Sequence, residues 1–128
     1  MSNESYNFNE YMSIKIYDLA VEAGSSITQA DKSTVSQLIE VFQSEPDALN
    51  ACSLLILHII RQSSRGELPR TGANILVKHL NQIYQNFKND KDKLSKAIFK
   101  YLTLVKWVYE SKPRGQFNSF QKFVESVR

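Results

Sequence analysis

Hydrophobic positions recur every three or four residues along most of this chain, the spacing that places side chains on one face of an α-helix. In "YNFNEYMSIKIYDLAVEAG", Met12, Ile16, Leu19, Ala20 and Ala23 share a face, and Gly24 reads as the stop. "TQAD" at 28–31 resembles a capping box. It opens a second helix, "KSTVSQLIEVFQ", with Val35, Leu38, Ile39 and Phe42 in register. In "SEPDALN", Ser44 or Glu45 is the expected N-cap and Pro46 stands in the first turn, so a third helix is predicted over about 46–64, stopped by Gly66. A fourth is predicted over about 71–87, burying Ile75, Leu76, His79, Leu80, Ile83, Tyr84 and Phe87. Asp90 or Asp92 caps a fifth over about 91–111, which ends ahead of Pro113. "FNSFQKFVESV" predicts a short sixth, with Phe117, Phe120, Phe123, Val124 and Val127 as its apolar set.

No segment alternates like a strand, and no repeat is visible. The expected fold is therefore all-α, a compact single-domain bundle of five to six helices over 1–128, with flexible termini at 1–5 and 112–117. The third helix is apolar nearly all round from Ala51 to Ile60, so it is predicted to be the central one.

Composition narrows the picture. A length of 128 residues fits one domain, and 42% hydrophobic content supports a modest core. One cysteine rules out an internal disulfide framework and a cysteine-rich zinc site; Cys52 lies in the apolar run and reads as buried. "MSNESYNFNEYM" lacks the basic and apolar regions of a signal peptide, and no apolar run approaches the roughly 20 residues that span a bilayer. The expectation is a cytoplasmic protein without a membrane partner.

The net charge of +3 hides an asymmetry. Residues 1–50 hold two lysines against eight acids, a net −6; residues 51–128 hold fourteen Lys and Arg against five acids, a net +9. A basic half suggests a polyanion partner. Head-to-tail association of copies is a second reading, and two halves simply folded together is a third.

Candidate catalytic chemistry is sparse. His58 and His79 are far apart with no acid at ligand spacing, "RGELPRTG" lacks the lysine and spacing of a phosphate loop, and no serine has a nearby base in a recognised arrangement. No enzyme activity, cofactor, metal or small-molecule substrate is expected. The basic residues say more. "LILHIIRQSSRGELPR" runs from the greasiest stretch of the chain into Arg61, Arg65 and Arg70. At about 100° per residue, Asn50, His58, Arg61 and Arg65 fall in an arc of roughly 80° on the third helix. Arginine forks onto phosphates; the alternative is that these arginines pair with the acidic half. On the fifth helix, Lys93, Lys96, Lys100, Thr103 and Trp107 form a stripe opposite the apolar face, with Phe99 and Lys106 just beyond it. A tryptophan among lysines stacks on unpaired bases or anchors a protein, unless a bend or the sixth helix buries it. Lys112 and Arg114 continue the basic character into "KPRGQF".

Three segments together resemble the small all-helical subunits of type III CRISPR effector complexes: "SITQADKSTVSQLIEVF", "LLILHIIRQSSRG" and "LSKAIFKYLTLVKWVYESK", spanning about residues 27–112. The likeness is one of order and texture. That family's last helix usually carries an acid where this chain has "TLVKW". The resemblance implies a non-catalytic subunit that stacks in several copies along the duplex of guide RNA and target strand, touching phosphates and other effector-complex subunits. Matched to this sequence, it points to Arg61, Arg65, Lys106 and Lys112.

Overall fold

Six helices are present among residues 7–127, the part of the chain that the computed structural model describes. The segment 1–5, expected to be flexible, lies outside it. Helix α1 is continuous through Phe8–Glu10, a π-helical stretch Tyr11–Lys15, and Ile16–Ser25. It is followed by α2 (Lys32–Gln43), α3 (Ala48–Ser64), α4 (Arg70–Phe87), α5 (Lys91–Glu110) and α6 (Phe120–Ser126). The all-α bundle expected from periodicity is the fold observed, and α1 to α5 share one apolar core.

Local chemistry explains the boundaries. Asp47, rather than Ser44 or Glu45, caps α3: its Oδ2 accepts the Asn50 N–H at 3.0 Å, leaving Pro46 ahead of the helix. Its Oδ1 accepts Lys91 Nζ at 2.7 Å, and these hydrogen bonds hold the carboxyl below the usual carboxylate range. Asp90 caps α5 through the Lys93 N–H at 3.2 Å. The box read at 28–31 does not form; Asp31 precedes α2 with no side-chain capping bond. Gly66 does stop α3, with a φ of +80° that side-chain-bearing residues rarely adopt.

Gly24 has a different role from the one its type suggests. The helix runs through it, and a Cβ placed there would lie 2.7 Å from Val108 Cβ and 2.8 Å from the Val105 carbonyl oxygen. The missing side chain lets the backbones of α1 and α5 approach.

Contacts along the helices fix their directions. Lys93 sits over the Phe8 ring, Lys100 over Tyr17, and Gly24 meets Val108, so α1 and α5 run parallel. Asp47 meets Lys91 at the start of α5, so α3 runs the same way. Helices α2 and α4 return between them. One end of the bundle thus carries the α2–α3 and α4–α5 corners, and the opposite end carries the loop at 26–31, the turn at 65–69 and the close of α5.

The central helix is α5, not α3. It packs against α1, α2, α3 and α4 and buries Leu94, Ala97, Ile98, Tyr101, Leu102, Val105 and Val108. Helix α3 buries Ala51, Cys52, Leu55 and Ile59 but leaves Leu54, Leu57 and Ile60 exposed, Leu57 by 66%. An apolar run does not itself reveal how many neighbours cover it. Burial pushes the Cys52 thiol up to about 11.

One polar chain crosses this core. Glu22 Oε1 lies 2.8 Å from His79 Nε2, and His79 Nδ1 lies 2.9 Å from the Tyr101 hydroxyl. A neutral imidazole with its proton on Nε2 donates to the half-exposed Glu22 and accepts from Tyr101, satisfying the buried His79 and Tyr101. The π-helical stretch has a related consequence. There the Ile16 N–H reaches the Tyr11 carbonyl, and the Met12 carbonyl accepts Lys100 Nζ at 2.7 Å.

Candidate functional site

The structure gathers half of the expected basic site at one end of the bundle. Arg61 lies in the last turn of α3 and Arg65 just after it, while Arg70 opens α4. Lys112 and Arg114 follow the close of α5 at the same end, Lys112 turning the chain with a φ of 55°. All five are exposed, and among the described residues none forms an ion pair. The reading in which the arginines pair with the acidic half does not hold for this surface. Three acids, Asp31, Glu67 and Glu110, are exposed at the same end and dilute its charge. Between the start of α2 and the close of α5 runs a groove of about 620 Å³, with Lys32 and Lys112 among its lining residues.

The lysines of α5 divide differently. Lys93 and Lys96 lie toward the opposite end, where Lys93 covers the Phe8 ring at 5.6 Å and Lys96 pairs with Asp92 at 3.1 Å. Lys100 is half-buried, committed to the Met12 carbonyl and stacked 4.9 Å over Tyr17, so it props α1. Lys106 is half-buried without an ion pair among the described residues. Trp107 is 62% exposed. Neither a bend nor α6 covers it, because α6 packs on α1 instead: the Phe120 N–H donates to Asp18 Oδ1 at 2.7 Å and the Phe117 N–H to Ser25 Oγ at 2.9 Å.

Charge counting missed the outer face of α3. Leu54, Leu57 and Ile60 line a groove of about 650 Å³ against Val41 and Ser44 of the α2 end, and Arg61 closes it. His58 lines the same groove with its Nε2 shielded and without a hydrogen-bond partner among the described residues. Burial, then the Arg61 charge, holds its pKa below the usual value. The signal was present in the sequence: Leu54, Leu57 and Arg61 stand at i, i+3 and i+7, one face of one helix. The apolar stretch therefore ends in arginines because both belong to one outward surface, aliphatic along its length and cationic at its end.

The two charged halves of the chain do not form two bodies. Asp47–Lys91 joins them at the surface and Glu22–His79 at the edge of the core. Among the described residues, no cluster of three or more His, Cys, Asp or Glu side chains is placed to hold a metal, and no helix is long and apolar enough to cross a membrane. Comparison with protein-family models, curated proteins and solved structures finds no match for this chain.

Proposed function

We propose that this protein is a non-catalytic, RNA-binding helical subunit of a larger assembly, of the kind its sequence resembles in type III CRISPR effector complexes. The observation that carries the reading is the basic end: Arg61, Arg65, Arg70, Lys112 and Arg114 exposed and without ion pairs among the described residues. Guanidiniums held this way contact phosphate oxygens in pairs of hydrogen bonds and read no base identity. The aliphatic face of α3 is the surface for a neighbouring subunit, and copies would stand head to tail along guide RNA and target strand.

A second reading, a helical adaptor whose basic face binds an acidic protein, is favoured by the same α3 groove, since aliphatic side chains beside arginine suit a protein partner. Titration of labelled RNA at several salt concentrations separates the two. The RNA reading requires binding whose log affinity falls linearly with log salt, by about 0.7 to 0.9 per phosphate neutralised. Absence of binding at low salt leaves the adaptor.

A further inference from the structure

Away from the arginines, the outer face of α5 carries two exposed rings that neither the core nor backbone contacts explain. Phe99 is 43% exposed and Trp107 is 62% exposed. They stand eight residues apart, on neighbouring rows of the outward side with Thr103 between them, separated by about 12 Å along the axis. Phe99 also walls a groove of about 510 Å³ between α5 and the α2–α3 corner. Its lining mixes the Phe42 and Phe99 rings with the polar groups of Gln43, Glu45, Ser95 and Lys96. That volume lies within the range of small-ligand sites.

Resting on the RNA reading above, we propose that this track binds unpaired nucleotides: one base enters the groove against Phe99, and another of the same strand stacks on Trp107. Each part of the track except the Glu45 carboxylate has a matching chemistry. An aromatic face takes any base. Gln43 and Ser95 offer donors and acceptors to a base edge. The Lys96 ammonium meets phosphate; its bond to Asp92 joins two exposed side chains and exchanges readily. Lys106 adds a second cation beside Trp107, and Glu110, one turn further, marks where the cationic track ends. Lys100 does not take part, since Met12 holds it. A duplex cannot use such a surface, because its bases are already stacked inward. The arginine end and the α5 track thus differ in ligand: the first takes phosphates of either form, the second only single strand.

Trp107 is the only tryptophan among six tyrosines, so emission excited at the red edge, beyond tyrosine absorption, reports this site alone. The experiment titrates the protein with oligouridine and with an RNA duplex of equal charge, following Trp107 emission and, separately, the anisotropy of labelled RNA, for wild type and Trp107→Ala. Exposure makes that variant safe for the fold. The expected result is quenching by oligouridine but not by duplex, and a loss of about 5- to 150-fold in oligouridine affinity in Trp107→Ala with duplex affinity unchanged. RNA binding that leaves emission unchanged, quenching equal for both RNAs, or unaltered oligouridine affinity in the variant overturns the track while sparing the RNA reading. No RNA binding at low salt overturns both.

Discussion

Replacing Gly24 by alanine adds one methyl group at the closest approach of two helices, and the structure sets both sign and size of the effect. In an ordinary helix interior, glycine to alanine stabilises by about 1 kcal/mol. Here the new Cβ would meet Val108 Cβ at 2.7 Å, Val108 Cγ1 at 2.8 Å and the Val105 carbonyl oxygen at 2.8 Å. Two of those atoms belong to a β-branched side chain and the third to the backbone of the central helix, so none swings aside. Helix α1 must move out by several tenths of an ångström or more along a packed seam. Overpacking of this kind costs about 1–3 kcal/mol. With three contacts under 3 Å onto atoms that cannot move aside, the cost falls in the upper part of that range, about 2–3 kcal/mol; less about 1 kcal/mol of propensity gain, a net loss of about 1–2 kcal/mol remains, and Tm falls by roughly 3–8 °C for a domain of this size. Thermal and urea melts followed by circular dichroism measure it. Gly115→Ala is the control, because nothing lies within 4 Å of the added carbon, and its Tm should be unchanged or slightly raised. An unchanged or raised Tm in Gly24→Ala would refute the close approach and return Gly24 to the simple helix stop its sequence suggests.

Other consequences follow from the same contacts. Burial holds the His79 imidazole below its ordinary value of 6.5 despite Glu22, with Lys78 and Lys15 adding to the depression. The unfolded chain therefore takes up protons first as pH falls below about 6.5, and stability present above that value is lost toward the folded-state pKa. Melts at pH 7.5 and 5.5 should show the drop, flattened in His79→Gln; His58, shifted the same way, supplies the remainder. Tyr101→Phe strips the buried His79 Nδ1 of its partner and should cost about 1–3 kcal/mol, with equal stability in urea melts counting against the polar chain. Leu57→Gln should change stability by no more than about 0.5 kcal/mol, whereas a loss of several kcal/mol would mean that α3 is covered on that side.

How much of this was legible in the sequence differs from helix to helix. Periodicity set Lys93, Lys96 and Trp107 correctly on the exposed side of α5, opposite the face that buries Leu94 through Val108, because an amphipathic helix writes its neighbours into its own spacing. It failed on α3, where an apolar stripe packed inward and an apolar stripe facing outward read alike. Only the i, i+3, i+7 run of Leu54, Leu57 and Arg61 hinted at an outward surface. Gly24 was misread because glycine ends helices and also admits close neighbours, and only the partner helix tells which. The cap of α3 went to Asp47 rather than Ser44 or Glu45, since three candidates in four residues share the chemistry and only one has the position. Lys100 looked like its neighbours, yet the π-helical stretch at Tyr11–Lys15 gives it a carbonyl to hold, a partner 88 residues away in sequence. The arginine end was legible as charge; its lack of ion pairs among the described residues was not.

The most direct test of the account is the salt dependence of RNA binding in Arg61→Gln/Arg65→Gln beside wild type, with a melt of each sample. Both side chains are exposed and without ion pairs among the described residues, so the double variant should keep its helical content and Tm. Its affinity should fall, and the slope of log affinity against log salt should shrink by about 1.4 to 1.8, two phosphates' worth. An unchanged slope, or a lowered Tm with binding intact, would contradict the claim that these arginines face a nucleic-acid backbone.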